Sequence, residues 1–127
     1  MENEYLAWHG HQIKGYSGNL STSQSLKTDR MEFARNVIGT PPKKIIDFGC
    51  SDGSFAVELA SMGFEVVAVD FSEVLASFKL QNANVRYMGM NLDEAWVDRL
   101  MPESFDVALC LEILEHLLRD YDFLCNV

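Results

Sequence analysis

Short apolar runs recur along the chain from residue 44 onward, spaced about twenty residues apart: Lys44–Phe48, Glu65–Val69, Asn84–Met88 and Phe105–Leu109. The second and fourth runs are unbroken and carry β-branched residues, the pattern of strands covered on both faces. Between the runs the spacing turns helical. Ser54 to Ser61 follows a glycine turn and is closed by Met62-Gly63, a C-cap pair. Ser72, an N-cap candidate, opens a second helix with Glu73 in its first turn. A third spans Leu92 to Leu100 ahead of Pro102, and a fourth runs from near Glu112 to about Phe123. Strand and helix alternating at this interval predict right-handed βαβ crossovers, a parallel sheet and an α/β fold.

The first 43 residues are organised differently. From His9 to Ser25 the chain is rich in Gly, Ser, Asn and Thr and reads as a loop-like arm, in which His9 and His11 are ordinary loop residues and Tyr16 sits in a candidate lid. From about Ser23 to Ile38 the spacing is helical, with Phe33, Ala34, Val37 and Ile38 expected on one face. Gly39-Thr40-Pro41-Pro42 stops that helix. The expected organisation is therefore an arm and lead-in helix over 1–43 and a sheet domain over 44–127.

The segment with the most chemical content is Asp47-Phe48-Gly49-Cys50-Ser51-Asp52-Gly53, between the first strand and the first crossover helix. An acid ends the strand and two glycines flank a tight turn. Glycine permits positive φ and close backbone approach to a ligand. In open α/β sheets the ligand crevice lies at the carboxyl ends of the strands, where this turn falls. The second strand ends in Asp70, whose carboxylate suits the two hydroxyls of a ribose, and Phe71 follows as a packing surface for a base. Other readings of these residues stand beside this one. A nicotinamide or flavin fingerprint, G-x-G-x-x-G counted from Gly49, would place serines (Ser51 and Ser54) at its second and third glycines. The loop could also be a tight turn without a ligand, and Asp70 a helix-start acid beside Ser72.

These pieces together resemble the class I S-adenosylmethionine-dependent methyltransferases, whose motif is an acid followed by x-G-x-G-x-G. Here it reads DFGCSDG: Asp47 matches the acid, Gly49 and Gly53 the outer glycines, and Ser51 replaces the middle one. Asp70 in VVAVDFS matches the ribose-binding acid, and Asn91 in NVRYMGMNL falls where an adenine contact is common. FDVALCLEILEHL resembles the stretch after the fourth strand in small-molecule methyltransferases. The resemblance spans about residues 43–121. It implies a three-layer Rossmann-like sandwich with strand order 3-2-1-4, lacking strands 5–7 of the family fold. It implies S-adenosylmethionine as donor and S-adenosylhomocysteine as product, held by Asp47, Gly49, Cys50, Ser51, Gly53, Asp70, Phe71 and Asn91. The acceptor it implies is a small molecule or sugar. The Asp/Asn-Pro-Pro-Tyr/Phe segment of many amino-group methyltransferases is replaced by Cys110-Leu111-Glu112, which disfavours base amines and glutamine amides.

Beyond the fourth strand, Glu112, Glu115, His116 and Arg119 would share one helix face, with Leu111, Leu114, Leu117 and Leu118 on the other. His116 and Glu112 are candidates for acid–base work on the acceptor side, against a plain solvated face with a Glu115–Arg119 pair. A similar E-x-x-E-H stretch binds metal in small-RNA 2′-O-methyltransferases, with a further histidine downstream. His116 is the last histidine here, and no metal is expected.

Charge narrows the partners. Residues 1–44 hold six basic and four acidic side chains, and residues 45–127 hold four and fifteen, within a net charge of −9. Such a surface repels phosphate backbones, so nucleic acid is not an expected partner. Three cysteines, Cys50, Cys110 and Cys125, form no C-x-x-C pair and suit a reduced, cytoplasmic setting. No apolar run reaches membrane-spanning length. A sheet of four strands would leave the fourth as an apolar edge. The expectation is a truncated chain, or one that pairs with itself or a partner there. A non-catalytic donor-binding module that needs a partner chain is the alternative to an enzyme.

Overall fold

A computed structural model describes residues 23–100, 103–111 and 113–127. Its contacts divide the chain into two compact units, Met1–Gly39 and Thr40–Val127. In the first, helix α1 (Ser23–Ile38) ends at Gly39, whose φ of 81° is left-handed. The single apolar face expected for α1 is not formed. Ala34 and Ile38, four apart, are buried, while Phe33 and Val37 on the neighbouring stripe are exposed. The candidate lid around Tyr16 lies outside the described residues.

The second unit is a parallel sheet of β1 (Lys44–Phe48), β2 (Glu65–Asp70), β3 (Val85–Gly89) and β4 (Val107–Leu109), in the order β3-β2-β1-β4. The register aligns Asp47 with Ala68 of β2 and Leu109 of β4, and Asp70 with Gly89 of β3. All four strands point the same way, so Asp47, Asp70 and the loops that follow them gather at one end of the sheet.

Strand alternation divides the buried residues between two faces. Ile46, Phe48, Val67 and Val69 pack with Met90, Leu92, Trp96, Leu100 and Phe123. Phe48 sits edge-on to both Trp96 and Phe123, with ring centroids 5.0 and 5.1 Å away. Ile45, Val66 and Ala68 point the other way, toward the side covered by α2 (Ser54–Ser61) and α3 (Ser72–Phe78), which pack on β2 and β3. The result is the three-layer, Rossmann-like α/β sandwich. α2 buries Phe55, Ala56, Leu59 and Ala60, and Gly63, at φ 104°, turns the chain into β2.

The last two helices of the sequence expectation depart from it most. The third is only α4 (Val97–Leu100), because Asn91 starts a turn instead: its carbonyl accepts from Glu94 N and its Oδ1 from Asp93 N. The fourth is not continuous. A single 3-10 turn at Leu114–His116 is followed by Leu117 in extended conformation, and then by α5 (Asp120–Asn126). The buried Asp93 carboxylate accepts the Arg119 N–H at 2.8 Å, satisfying a donor at the start of α5 from a distant segment. Leu114 and Leu117 lean on the Trp96–Phe123 core, whereas Leu118 is exposed. α3 likewise starts one residue earlier than expected in its capping, with Phe71 rather than Ser72 at the N-cap position.

Candidate functional site

The loop after β1 is shaped by three left-handed residues in alternation: Gly49 at φ 77°, Ser51 at 56° and Gly53 at 80°. Ser51 thus adopts the backbone conformation of the glycine it replaces in the expected motif. Three consecutive N–H groups hold the loop to the end of β2. Gly49 and Cys50 both donate to the Val69 carbonyl, at 2.8 and 3.0 Å, and Ser51 donates to Asp70 Oδ2 at 2.7 Å. Gly53 N–H closes the turn on Cys50 O, and Asp52 Oδ1 accepts from Ser54 N at the start of α2.

A second clasp comes from the α3–β3 connection. Leu80 N donates to Asp52 O at 2.8 Å, and Leu80 O accepts from the Tyr87 hydroxyl at 2.6 Å. Tyr87 lies so close to Gly53 that a Cβ there would come within 2.1 Å of its hydroxyl oxygen. On the opposite side, a Cβ at Gly49 would meet Ile113 at 2.7 Å. Both glycines are therefore required twice, by φ and by a neighbouring side chain. Tyr87, Leu80, Asp93 and Ile113 were not found by reading the sequence, since each acts through a partner remote along the chain.

The carboxylates under the loop differ in their environment. Asp70 is buried, yet each of its oxygens accepts a backbone N–H: Oδ2 from Ser51, and Oδ1 from Phe71 at 2.7 Å. Burial raises its pKa and these two bonds pull it back down. Each oxygen keeps a lone pair for a further donor, so Asp70 suits a vicinal diol. Asp47, only 4% exposed, titrates at about 7, raised first by burial and then by the neighbouring Asp70. The buried Cys50 thiol is pushed far up, by burial first and then by Asp47 and Asp70. It stays protonated and contributes as a small neutral lining group.

The remaining sequence candidates are placed less directly. Phe71 is half-buried and follows Asp70 immediately. Met90 N donates to Asp70 O, so the end of β3 is tied to the end of β2 just before Asn91. Asn91 uses Oδ1 for Asp93 N and approaches Glu94 Oε1 at 3.5 Å through Nδ2. His116 lies in the 3-10 turn, donates its N–H to Ile113 O, and has Nε2 3.7 Å from Glu115 Oε1. The turn separates His116 and Glu115 from Arg119, so the shared helix face expected of them is not formed. Glu112 lies outside the described residues. Among the described residues no cluster of metal-ligating side chains occurs.

Two grooves of about 470 and 460 Å³ lie away from the loop. One is at the amino ends of β2 and β3, around Glu65 and Arg86, and the other runs past Trp96, Phe105 and Val107. Neither is lined by Asp47, Asp70 or the glycine loop. The candidate site rests instead on the loop geometry and on its place at the carboxyl ends of the strands.

A family model for a methyltransferase domain matches residues 22–122. The chain belongs to the class I methyltransferase-domain family. Among curated members, it is 36% identical over 92 residues to the ubiquinone biosynthesis O-methyltransferase of Pseudomonas fluorescens, covering 68% of this chain and 39% of that one. The corresponding enzyme of Methylococcus capsulatus is 30% identical over 120 residues, covering 91% of this chain and 50% of the relative. The chain thus spans about a third to a half of the length of the curated methyltransferases it matches. Among solved structures, WbdD in complex with a kinase inhibitor is similar in fold, with TM-score 0.54, 24% identity, and coverage of 86% of this chain and 27% of that one.

Proposed function

We propose that this chain binds S-adenosylmethionine at the carboxyl ends of β1 and β2 and serves methyl transfer to a small-molecule or sugar acceptor, releasing S-adenosylhomocysteine. The observation that carries the reading is the Asp70 carboxylate. It braces the glycine loop through Ser51 and still keeps lone pairs for a ribose diol. Gly49, Cys50, Ser51 and Gly53 supply the close backbone wall, Phe71 a face for the base, Asn91 a polar group near it, and Asp47 a negative group beneath the loop. The names of the curated relatives favour an oxygen acceptor.

The bound donor supplies a methyl group already activated by its sulfonium. What remains for the chain is to hold donor and acceptor in line at attack distance and to keep water out. A hydroxyl acceptor must also lose a proton, for which His116 and Glu112 are the candidates. The 3-10 turn holding His116 is bonded to Ile113, which packs against Gly49, so the imidazole belongs to the segment bordering the loop. We assign the donor-binding unit to residues 44–127, place the protein in the cytoplasm, and expect nucleic acid not to be a partner. Among the described residues no helix is long and apolar enough to cross a membrane.

One observation favours a second reading, a donor-binding module that acts with another chain or a second copy of itself. β4 pairs with β1 on one side only among the described residues, and its open edge adjoins the groove past Trp96 and Phe105. Calorimetry with S-adenosylmethionine tests the donor site. The expected result is binding that Asp70→Ala weakens by about 1.5–3 kcal/mol, and binding indifferent to that substitution would overturn the reading. Transfer of labelled methyl to small molecules by the purified chain supports the enzyme. Binding without transfer, together with dimer formation on a sizing column, supports the module.

A further inference from the structure

The glycine loop is held in two halves. Gly49, Cys50 and Ser51 donate their N–H groups to the end of β2. Asp52 and Gly53, the half that leads into α2, are reached from β3 instead, by way of a single peptide. Leu80 N–H donates to Asp52 O at 2.8 Å, and Leu80 O accepts the Tyr87 hydroxyl at 2.6 Å. The same phenol fills the space beside Gly53, where a Cβ would meet its hydroxyl oxygen at 2.1 Å. Tyr87 thus reaches the loop twice, directly at Gly53 and through Leu80 at Asp52.

That reach depends on the residues between. Asp47, Ala68 and Tyr87 align across β1, β2 and β3. Neighbouring strands lie about 4.8 Å apart, so a side chain on β3 must cross β2 to arrive at a loop that starts from β1. Ala68 offers only a methyl group there, the one alanine in the run Val66-Val67-Ala68-Val69, and it is fully buried. Lys79 leaves α3 with extended backbone, which carries the next peptide, that of Leu80, away from the helix. Its ammonium lies 5.8 Å from the centre of the Tyr87 ring and attracts the ring's π face. Filling the space beside Gly53 needs only the aromatic ring. The bond to Leu80 needs the hydroxyl.

We propose that Tyr87 is a positioning residue for donor binding: its hydroxyl, through the Leu80 peptide, holds Asp52 and Gly53 in the shape that the donor meets. This rests on the donor-site reading given above. Tyr87 acts through the loop and touches neither the donor nor the reacting atoms. A loop already held in its bound shape loses less freedom when the ligand arrives, so the clasp raises affinity without adding a contact. The coupling is reciprocal: whatever factor the clasp adds to donor affinity, bound donor must return as a more firmly closed clasp.

The test combines titration calorimetry with S-adenosylmethionine, amide hydrogen exchange at Leu80 followed by NMR, and urea unfolding, on the purified chain and on Tyr87→Phe. The substitution keeps the ring beside Gly53 and removes the bond to Leu80. Loss of one hydrogen bond from the clasp should weaken S-adenosylmethionine binding about three- to tenfold and speed exchange of the Leu80 N–H. In the unsubstituted chain, saturating S-adenosylmethionine should slow that exchange by a similar factor. A residue that served only the fold would lower the urea midpoint on substitution and leave the affinity of the folded chain as it was. Tyr87→Phe binding as tightly as the unsubstituted chain, or Leu80 exchange unmoved by saturating donor, overturns the proposal while leaving the donor site standing. The exchange measurement needs no variant, so it decides the matter should Tyr87→Phe not fold. No binding of S-adenosylmethionine by the unsubstituted chain overturns both.

Discussion

Ser51 and Asp70 are joined by a 2.7 Å hydrogen bond from the loop N–H to the carboxylate, across the boundary between β1 and β2. That bond makes one side chain serve two purposes, bracing the loop and presenting an acceptor to a ligand. Replacing Asp70 by Asn separates them. The amide keeps an oxygen for one of the two N–H groups but places an NH₂ against the other. A lost charge-assisted bond beside a buried donor costs about 1.5–3 kcal/mol, so Asp70→Asn should weaken S-adenosylmethionine binding at least tenfold and also lower the unfolding midpoint. Titration calorimetry and urea unfolding of the same preparation measure both. A midpoint that falls with donor affinity untouched would show Asp70 to be only a brace.

Ser51 itself carries a stored cost. Its φ of 56° lies in the region that disfavours residues with a Cβ by roughly 1–2 kcal/mol. Ser51→Gly relieves this but loosens the unfolded chain by about 0.4–1 kcal/mol. The net expectation is a gain of up to about 1.6 kcal/mol, with the Asp70 bond intact because it uses the backbone N–H. Ser51→Val should destabilise, since a β-branched residue tolerates this conformation least. Denaturant unfolding of the three forms checks the order Gly, Ser, Val.

Gly53 and Tyr87 are predicted to be coupled. A Cβ at Gly53 would lie 2.1 Å from the Tyr87 hydroxyl oxygen and within 2.8 Å of two ring carbons, at a φ of 80°. Gly53→Ala therefore combines backbone strain with overpacking, each worth about 1–3 kcal/mol. Tyr87→Ala opens the space, so the double variant should recover the packing part but not the strain. The interaction energy should be favourable by about 1 kcal/mol or more. Additive losses in thermal unfolding would mean that the ring moves aside freely.

The strands, their approximate limits and the loop that joins β1 to α2 were legible in the sequence because each depends on neighbours along the chain. Continuous apolar runs bounded by glycines leave little choice of element, and the DFGCSDG segment states its own turn. The break near Leu117 was not legible. Leu111, Leu114, Leu117 and Leu118 fit a helix equally well, and the interruption is stabilised by Asp93, whose carboxylate meets Arg119 N twenty-six residues further on. The same holds for α1, where Phe33 and Val37 fall within the apolar stripe by spacing yet are exposed beside the buried Ala34 and Ile38. At the site, Asp47 and Asp70 were visible as strand-end acids. Their contrast was not: one is doubly hydrogen-bonded and the other has no donor, a difference that arises only when the loop folds back over β2.

That contrast predicts how stability depends on pH. Asp47 titrates at about 7 in the folded chain, against an ordinary value of 3.8. The folded state therefore binds more protons than the unfolded one between those values, and stability declines as pH rises through the window. Asp70, also raised by burial, acts in the same direction. Raising a pKa by one corresponds to about 1.4 kcal/mol, so the effect at Asp47 alone amounts to several kcal/mol once pH exceeds 7. Asp47→Asn removes the charge but keeps the shape. It should be more stable than the unsubstituted chain at about pH 8, with the advantage shrinking toward pH 5 as the wild-type carboxyl becomes protonated. Urea midpoints of both proteins across that range measure the difference, and parallel pH profiles would show that Asp47 is already neutral, or already compensated, throughout.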